Sequence, residues 1–365
     1  MPDVFLYRFK SSDSREREAG FLKLIERTGI NFIKPGDNVA LKVHFGEVGC
    51  TTFVKPSFSK KVIDYVLSLG GRPFLTDSNT LYSGRRKNGN DHRSLASEHG
   101  FGGLGADIVI ADGDNSESTV NERIGLTHFD SIKYGKAVFN ADSLLVISHF
   151  KGHLLCGFGG AIKNVGMGLG SRAAKQMMHA DVKPRLQRKQ DCEGCGKCAD
   201  VCPSNAVSIE GDVPVFDESK CEGCAECIAA CPKGALKIQW DGAPEKVMEK
   251  TAETCFAVLK SKTNKTFYYN FVMDVTPDCD CMGPSGTPLI EDVGILASSD
   301  PVAIDAASLY LVTQAKARKD SKIGKEGFEG ADKFKLIRPS INGEHIFGYG
   351  EKISLGNRDF NLIEI

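Results

Sequence analysis

Eight of the thirteen cysteines lie between residues 192 and 231, in two runs of identical form. The first is Cys192-x2-Cys195-x2-Cys198-x3-Cys202-Pro203 and the second is Cys221-x2-Cys224-x2-Cys227-x3-Cys231-Pro232. Three thiolates this close can reach three irons of a cubane from one tight loop, while the fourth of each run ligates the other cluster. The spacing predicts two [4Fe–4S] clusters. Cys192, Cys195, Cys198 and Cys231 would hold one, and Cys221, Cys224, Cys227 and Cys202 the other. Gly194 and Gly223 would let backbone N–H groups approach the sulfurs. Zinc usually takes two separated ligand pairs and fits two complete runs poorly. The odd cysteine count argues against a full disulfide framework.

A second concentration of chemistry runs from His149 to Met167. It holds His149, Lys151, His153, Lys163 and Asn164 among many glycines. Residues 151–182 read as a long functional loop with a short helix near 172–179. Backbone N–H groups there could cradle an anion, with Lys151 or Lys163 adding charge. His149 and His153 could transfer protons or bind metal. Gly157, Gly159, Gly160 and Asn164 are the expected cofactor contacts. The bland alternative is a glycine-rich connection with solvated lysines, but long loops in compact domains are usually functional.

Cys279-Asp280-Cys281 sets two thiols around a carboxylate. The expectation is a third metal or cluster there, with a further ligand from Cys50, Cys156 or a loop histidine. The alternative is a pair of reduced thiols in a turn. Lys42 and His44 share one side of a predicted strand, and Thr76-Asp77-Ser78-Asn79 follows another. Ligands bind outside the carboxyl ends of parallel strands, so both are candidates. Asp292 and Asp300 bracket a short apolar stretch. Asp300 before Pro301 reads as a helix cap. Asp305, one turn on, faces either the site or solvent.

These residues need a scaffold, and the pattern supplies an α/β one. Strand-like runs at 4–9, 38–45, 73–76, 108–111 and 144–148 alternate with helical periods at 14–28 and 56–69. Beyond the cysteines, 244–260 and 301–317 read as helices, and 266–275 and 360–365 as strands. The fold class is a mainly parallel sheet with flanking helices. A small α+β ferredoxin-like unit interrupts it. The expected divisions are 1–187, 188–240 and 241–365. Two α/β lobes joined through the cysteine segment are the alternative.

The chain has 365 residues, 41% hydrophobic and 25% charged, with a net charge of −1. That balance gives no reason to expect nucleic acid or an anionic membrane surface. The N-terminus lacks a signal-peptide pattern, and the Arg85-Arg86 pair lies far from it. No run approaches a membrane span. The cytoplasm is the expected location. No GxGxxG follows the first strand, so a nicotinamide site is not supported.

Residues 188–240 resemble bacterial two-cluster ferredoxins through the cysteine runs quoted above. Nearly the whole chain resembles the domain-of-unknown-function family 362 (DUF362), iron–sulfur-centre proteins whose general activity is not established. The matching pieces are Lys42-Val43-His44-Phe45-Gly46, Thr76-Asp77-Ser78, the segment from Ser148 to Asn164, Cys279-Asp280-Cys281, and Asp292-Val293-Gly294-Ile295-Leu296 through Asp300-Pro301-Val302-Ala303-Ile304-Asp305. His153-x3-Gly157-x2-Gly160-x2-Lys163 is also similar to the loop of lactate-racemase-type proteins, which carry a nickel pincer cofactor. Lys163 would take the anchoring part. The flanking histidines are incomplete and the cysteine segment is foreign to that family, so its activity is not carried over.

The resulting expectation is a cytoplasmic iron–sulfur oxidoreductase. Its clusters would relay electrons from a ferredoxin- or flavoprotein-type partner to a site binding a small anion. His149, Lys151, His153 and Lys163 would serve catalysis. A cluster-bearing adaptor and a metal-dependent isomerase are the alternatives. A deep pocket shared by the glycine segment, Cys279 and Cys281 would favour the reaction site. An exposed cluster edge without such a pocket would favour the adaptor.

Overall fold

A computed structural model describes residues 1–82, 84–179, 184–221, 223–237 and 242–365, with the side chain of Lys325 left aside. Eight strands form one sheet: β1 (Asp3–Arg8), β2 (Asn38–Val43), β3 (Arg72–Asp77), β4 (Asp107–Ile110), β5 (Ser143–His149), β6 (Thr266–Val272), β7 (Gly294–Ser298) and β8 (Asn361–Glu364). Their order is β8-β1-β7-β6-β5-β2-β3-β4. Every neighbouring pair is parallel except those of β7, which runs antiparallel to β1 and β6. The mainly parallel α/β fold read from the sequence is therefore present.

Every residue of β5 and β6 is buried, as expected for strands covered on both faces. Alternate side chains feed two cores. Leu145, Ile147, Tyr269 and Phe271 pack with α1 (Ser14–Thr28) and α2 (Pro56–Ser68). Leu144, Val146, Tyr268 and Val272 face α4 (Ala161–Leu169), α6 (Pro244–Lys260) and α7 (Pro301–Gln314). The capping signals work as chemistry dictates. Asp13 accepts from Arg15 N and Glu16 N at the start of α1, and Gly29 ends it at φ 57°. Asp300 accepts from Val302 N and Ala303 N, 2.8 and 2.9 Å, at the start of α7.

The segment from Lys151 is not the long loop its glycines suggested. Lys151–His153 and Gly157–Gly159 form a short hairpin, and α4 follows, then α5 (Arg172–His179). Glycine is unfavourable in a helix by about 1 kcal/mol. Here it is required by close packing. A Cβ on Gly166 would lie 2.2 Å from the Thr251 carbonyl oxygen of α6, and one on Gly168 would lie 2.8 Å from Lys42 Nζ. The last residues of the expected loop, 180–182, fall outside the described residues, as does the expected end of the cysteine segment at 238–240.

Among the described residues between 185 and 237, strand pairing is local. Arg185–Leu186 pairs with Leu236–Lys237, and Val207–Glu210 pairs with Val213–Phe216. The two cysteine runs repeat at an offset of 29 residues, since 221 − 192 is 29. The backbone follows the same repeat: Gly194 and Gly223, Gly196 and Ala225, and Asn205 and Gly234 all have positive φ. Ala206 N donates to Cys202 Sγ at 3.2 Å, and Ala235 N donates to Cys231 Sγ at 3.3 Å. Cys198, Cys227, Ile228 and Leu236 form an apolar cluster with Leu81 of the α/β body. Among the described residues, no helix is long and apolar enough to cross a membrane.

Candidate functional site

The chain runs outward from β2 to β3 and β4, then returns to place β5 on the other side of β2. Such a reversal opens a crevice at the carboxyl ends of the strands. A cleft of about 490 Å³ lies there. Its lining includes His44 after β2, Asp77 and Ser78 at β3, Lys151 and His153 after β5, Lys163 and Asn164 on α4, and Cys279 and Cys281 after β6. The structure thus gathers most of the separately proposed residues in one place.

A buried ionic network forms the cleft floor. Lys42 Nζ pairs with Asp77 Oδ1 at 3.0 Å and donates to Asn164 Oδ1 at 2.7 Å. Asn164 Nδ2 donates to the Ile147 carbonyl and to Ser148 Oγ, 3.0 Å each. Asn164 therefore locks α4 to β2 and β5. Arg86 pairs with Glu47 at 3.1 Å and reaches Asp77 at 3.5 Å. Burial opposes ionisation of Asp77, but Lys42, His92 and Arg86 together hold its carboxyl below the usual range. Lys175 Nζ donates to Ser78 Oγ, the Asn79 carbonyl and the Gly170 carbonyl at 2.6, 2.7 and 2.9 Å. Burial lowers its pKa to about 8 against the pull of Asp112 and Asp77.

The thiols lie at the opposite wall. Lys163 Nζ stands 3.9 Å from Cys279 Sγ. A hydrogen bond from Cys281 is the largest influence on Cys279. With Lys163 and Lys151 nearby it holds the Cys279 thiol well below its ordinary range despite burial. The same contact, then burial, pushes Cys281 up. The contact favours the thiolate form at Cys279 and the thiol form at Cys281. Among the described residues, no three His, Cys, Asp or Glu side chains converge as ligands of a single metal ion. Cys50 bonds toward Asp280 and Ser285 rather than toward the two thiols.

His149 sits behind this wall. Its Nδ1 is 2.9 Å from both Asp280 oxygens, and its Nε2 is 2.9 Å from the Met273 carbonyl. Both nitrogens face acceptors, so the ring clamps the loop after β6 instead of entering the cleft. Lys151 Nζ donates to the His149 carbonyl at 3.0 Å and lies 3.8 Å from Asp280. His153 does enter the cleft. Burial, then Lys163 and His179, drive its pKa well below the ordinary value. Burial, then Arg86 and Lys151, do the same for His44. Both rings are neutral at ordinary pH.

The three glycines expected to contact a cofactor serve protein contacts. Gly157 approaches Gly343, Gly159 makes room for the Lys163 stem, and Gly160 makes room for Asp305. Asp305 faces neither cleft nor solvent. It accepts from Ala161 N at 2.6 Å, Ile162 N at 3.0 Å and Asn270 Nδ2 at 2.7 Å, and so caps α4. Burial raises its pKa to about 6 in spite of these bonds.

In the cysteine segment, Cys192, Cys195, Cys198 and Cys231 line one small void. Burial raises the Cys227 thiol, and crowding by Cys224 and Cys221 adds to it. Cys202 and Cys221 likewise crowd Cys224. Cys195 is exposed. Leu81 and Tyr82 line the cleft and also pack against this segment. The Tyr82 hydroxyl donates to the Cys281 carbonyl at 3.3 Å and receives a hydrogen bond from Arg86.

Sequence reading missed Arg86, Lys175, His179, Tyr82 and Met282. Arg86 and Tyr82 follow β3, which is a usable positional signal. Lys175 and His179 gave none, because only the fold turns that face of α5 to the cleft.

A family model, "Domain of unknown function (DUF362)", matches residues 39–310. No curated protein matches the chain. A crystal structure of a protein from Thermotoga maritima aligns over 94% of this chain and 59% of its own, at 11% identity and a TM-score of 0.42. The structure of the lactate racemase apoprotein from Thermoanaerobacterium thermosaccharolyticum aligns over 75% of this chain and 51% of its own, at 13% identity and a TM-score of 0.33. The aligned part spans little more than half of either protein.

Proposed function

The chain belongs to the DUF362 family, and from that premise we propose that it is an iron–sulfur oxidoreductase whose cysteine segment delivers electrons to the cleft. One observation carries this reading. Leu81 and Tyr82 are a shared wall, lining the cleft on one side and packing with Cys198, Cys227 and Ile228 on the other. An adaptor that only carried clusters would have no use for a cleft of this chemistry behind that wall.

The cysteine residues fit the group assigned to them. Cys192, Cys195, Cys198 and Cys231 surround a void instead of meeting at a point, as a four-iron core requires. Cys221, Cys224, Cys227 and Cys202 would hold the second cluster. Two [4Fe–4S] clusters, when bound, supply transfer of single electrons. Cys195, exposed at the rim, marks the side where a ferredoxin- or flavoprotein-type partner would dock.

The remaining steps belong to protein side chains. Lys151 and Lys163 attract an anionic substrate, although Asp280 and the Cys279 sulfur already share part of their charge. His44 and His153 are neutral and orient it by hydrogen bonds. Cys279, whose thiol is held low, is the group placed to accept a proton or act as a nucleophile at the substrate. A third metal on Cys279 and Cys281 fits poorly. The Lys163 ammonium competes for the Cys279 sulfur, and no third ligand converges on the pair among the described residues.

Anaerobic purification with iron and sulfide analysis tests the proposal. The expected content is about eight irons per chain. Dithionite should then give the spectrum of reduced clusters. Folded protein that is colourless and free of iron overturns the reading.

A further inference from the structure

The base and the walls of the cleft differ in chemistry, and the difference specifies a ligand. The base offers donors. Among the described residues, Lys163 Nζ has the Cys279 sulfur at 3.9 Å as its one hydrogen-bond partner. His44 and His153 line the cleft. Each already uses Nδ1 as an acceptor, His44 from Gly46 N at 3.1 Å, His153 from Leu155 N at 3.3 Å and Cys156 N at 3.1 Å. A neutral ring that accepts at Nδ1 carries its proton on Nε2. A metal-bound histidine has the opposite pattern, since it donates with its second nitrogen. Neither ring is set up to hold a metal, and both are set up to donate to an oxyanion.

The walls are apolar. Leu81, Tyr82, Leu155 and Met167 line them. Leu154 and Met282 stand at the mouth, 59% and 50% exposed. The volume of about 490 Å³ lies within the range of small-molecule sites.

The site for a phosphate is taken. A helix N-terminus after a glycine-rich turn normally offers its N–H groups to that ion. At α4 those groups donate to Asp305, at 2.6 and 3.0 Å. A carboxylate of the protein fills the place, and Gly160 is the residue that lets it in.

We infer that the cleft binds an organic carboxylate with an apolar body of aromatic size, its head group on Lys163 and His153 and its body between Leu154 and Met282. Phosphate esters and nucleotides fall outside this class. The inference rests on the cleft being the reaction site and adds the chemical class of what enters it.

Calorimetric titration of the anaerobically reconstituted full chain with 2-naphthoate, 2-naphthamide and inorganic phosphate tests it. The acid should bind at least about tenfold tighter than the amide, and phosphate should not saturate in the same range. Lys163→Gln should weaken the acid by about tenfold and leave the amide unchanged. Met282→Gln or Leu154→Asn, both at the exposed mouth, should weaken acid and amide alike. Urea midpoints recorded for each variant separate a binding loss from a folding loss. Equal binding of acid and amide, tighter binding of phosphate, or no binding of any of the three overturns the inference. The electron-delivery reading fails separately, by clusters that load but cannot be reduced while naphthoate still binds.

Discussion

Gly166→Ala sets two physical effects against each other. In an exposed helix the change is favourable by about 1 kcal/mol, because alanine gives up less backbone freedom. In α4 the new Cβ would lie 2.2 Å from the Thr251 carbonyl oxygen and 3.1 Å from Thr251 Cγ2. An ordinary carbon–oxygen contact needs about 1 Å more than the shorter distance. The obstacle is backbone in the middle of α6, so no rotamer change removes it. Overpacking of this kind costs about 1–3 kcal/mol, and a rigid neighbour places it at the upper end. The net expectation is a destabilisation of about 1–2 kcal/mol. Urea denaturation of the full chain should show a lower midpoint at unchanged slope. Truncating the neighbour, in Gly166→Ala/Thr251→Ala, should not restore it, because the clash is with the carbonyl. The same displacement moves Lys163 and Asn164, which ride on α4, so ligand affinity in the cleft should fall as well. A variant as stable as the parent, or more so, would refute the claim that glycine here encodes close helix contact.

Asp305→Asn should flatten stability against pH. The Asp305 carboxyl titrates near 6 when folded against an ordinary 3.8. The folded chain therefore holds a proton that the unfolded chain releases. Its stabilising share is complete below about 3.8 and is lost as pH rises through about 6, on the order of 3 kcal/mol in all. Urea midpoints of parent and variant between pH 5 and 7 should converge or cross with that sign, and parallel curves would exclude it. Cys192→Ser/Cys231→Ser should retain about four irons, whereas Cys192→Ser/Cys202→Ser should lose nearly all eight. The reversed result, with the first double variant losing nearly all its iron and the second keeping about four, would mean that the fourth cysteines do not cross between runs. In peptide-resolved alkylation with iodoacetamide, Cys279 should react at lower pH than Cys281, and Lys163→Met should move the Cys279 profile upward. An unmoved profile would remove Lys163 from the account of that thiolate.

The sheet was legible in sequence because most of its strands are short apolar runs, and its long helices open either after Asp13 or on Pro56, Pro244 and Pro301. Ser14–Thr28 and Pro244–Lys260 were read to the residue. β7 was not read as a strand, since five residues between two aspartates carry no alternation to detect. α4 was misread for a different reason. Glycine density has the same appearance whether it loosens a loop or lets a helix lie against another, and only the partner, α6, decides between them. The strand-end rule located His44, Asp77 and Ser78 in the cleft and Lys42 beneath it. It could not tell that His149, one residue before Phe150, turns away into the loop after β6. That distinction depends on Asp280, more than a hundred residues further on.

The ladder between Arg185–Leu186 and Leu236–Lys237 holds the way into the cysteine segment next to the way out. Adjacent strands lie under 5 Å apart, so a few residues of linker would join the two sides, and loop-closure entropy changes slowly with length. The two ends of the segment thus lie side by side, while Leu81, Tyr82 and the Arg172–Glu226 ion pair also tie it to the α/β body. Evolution could remove it, or fit another small unit in its place, without re-registering a strand of the main sheet. The cost of such an exchange would fall on Leu81 and Tyr82, whose apolar faces would then be open to water.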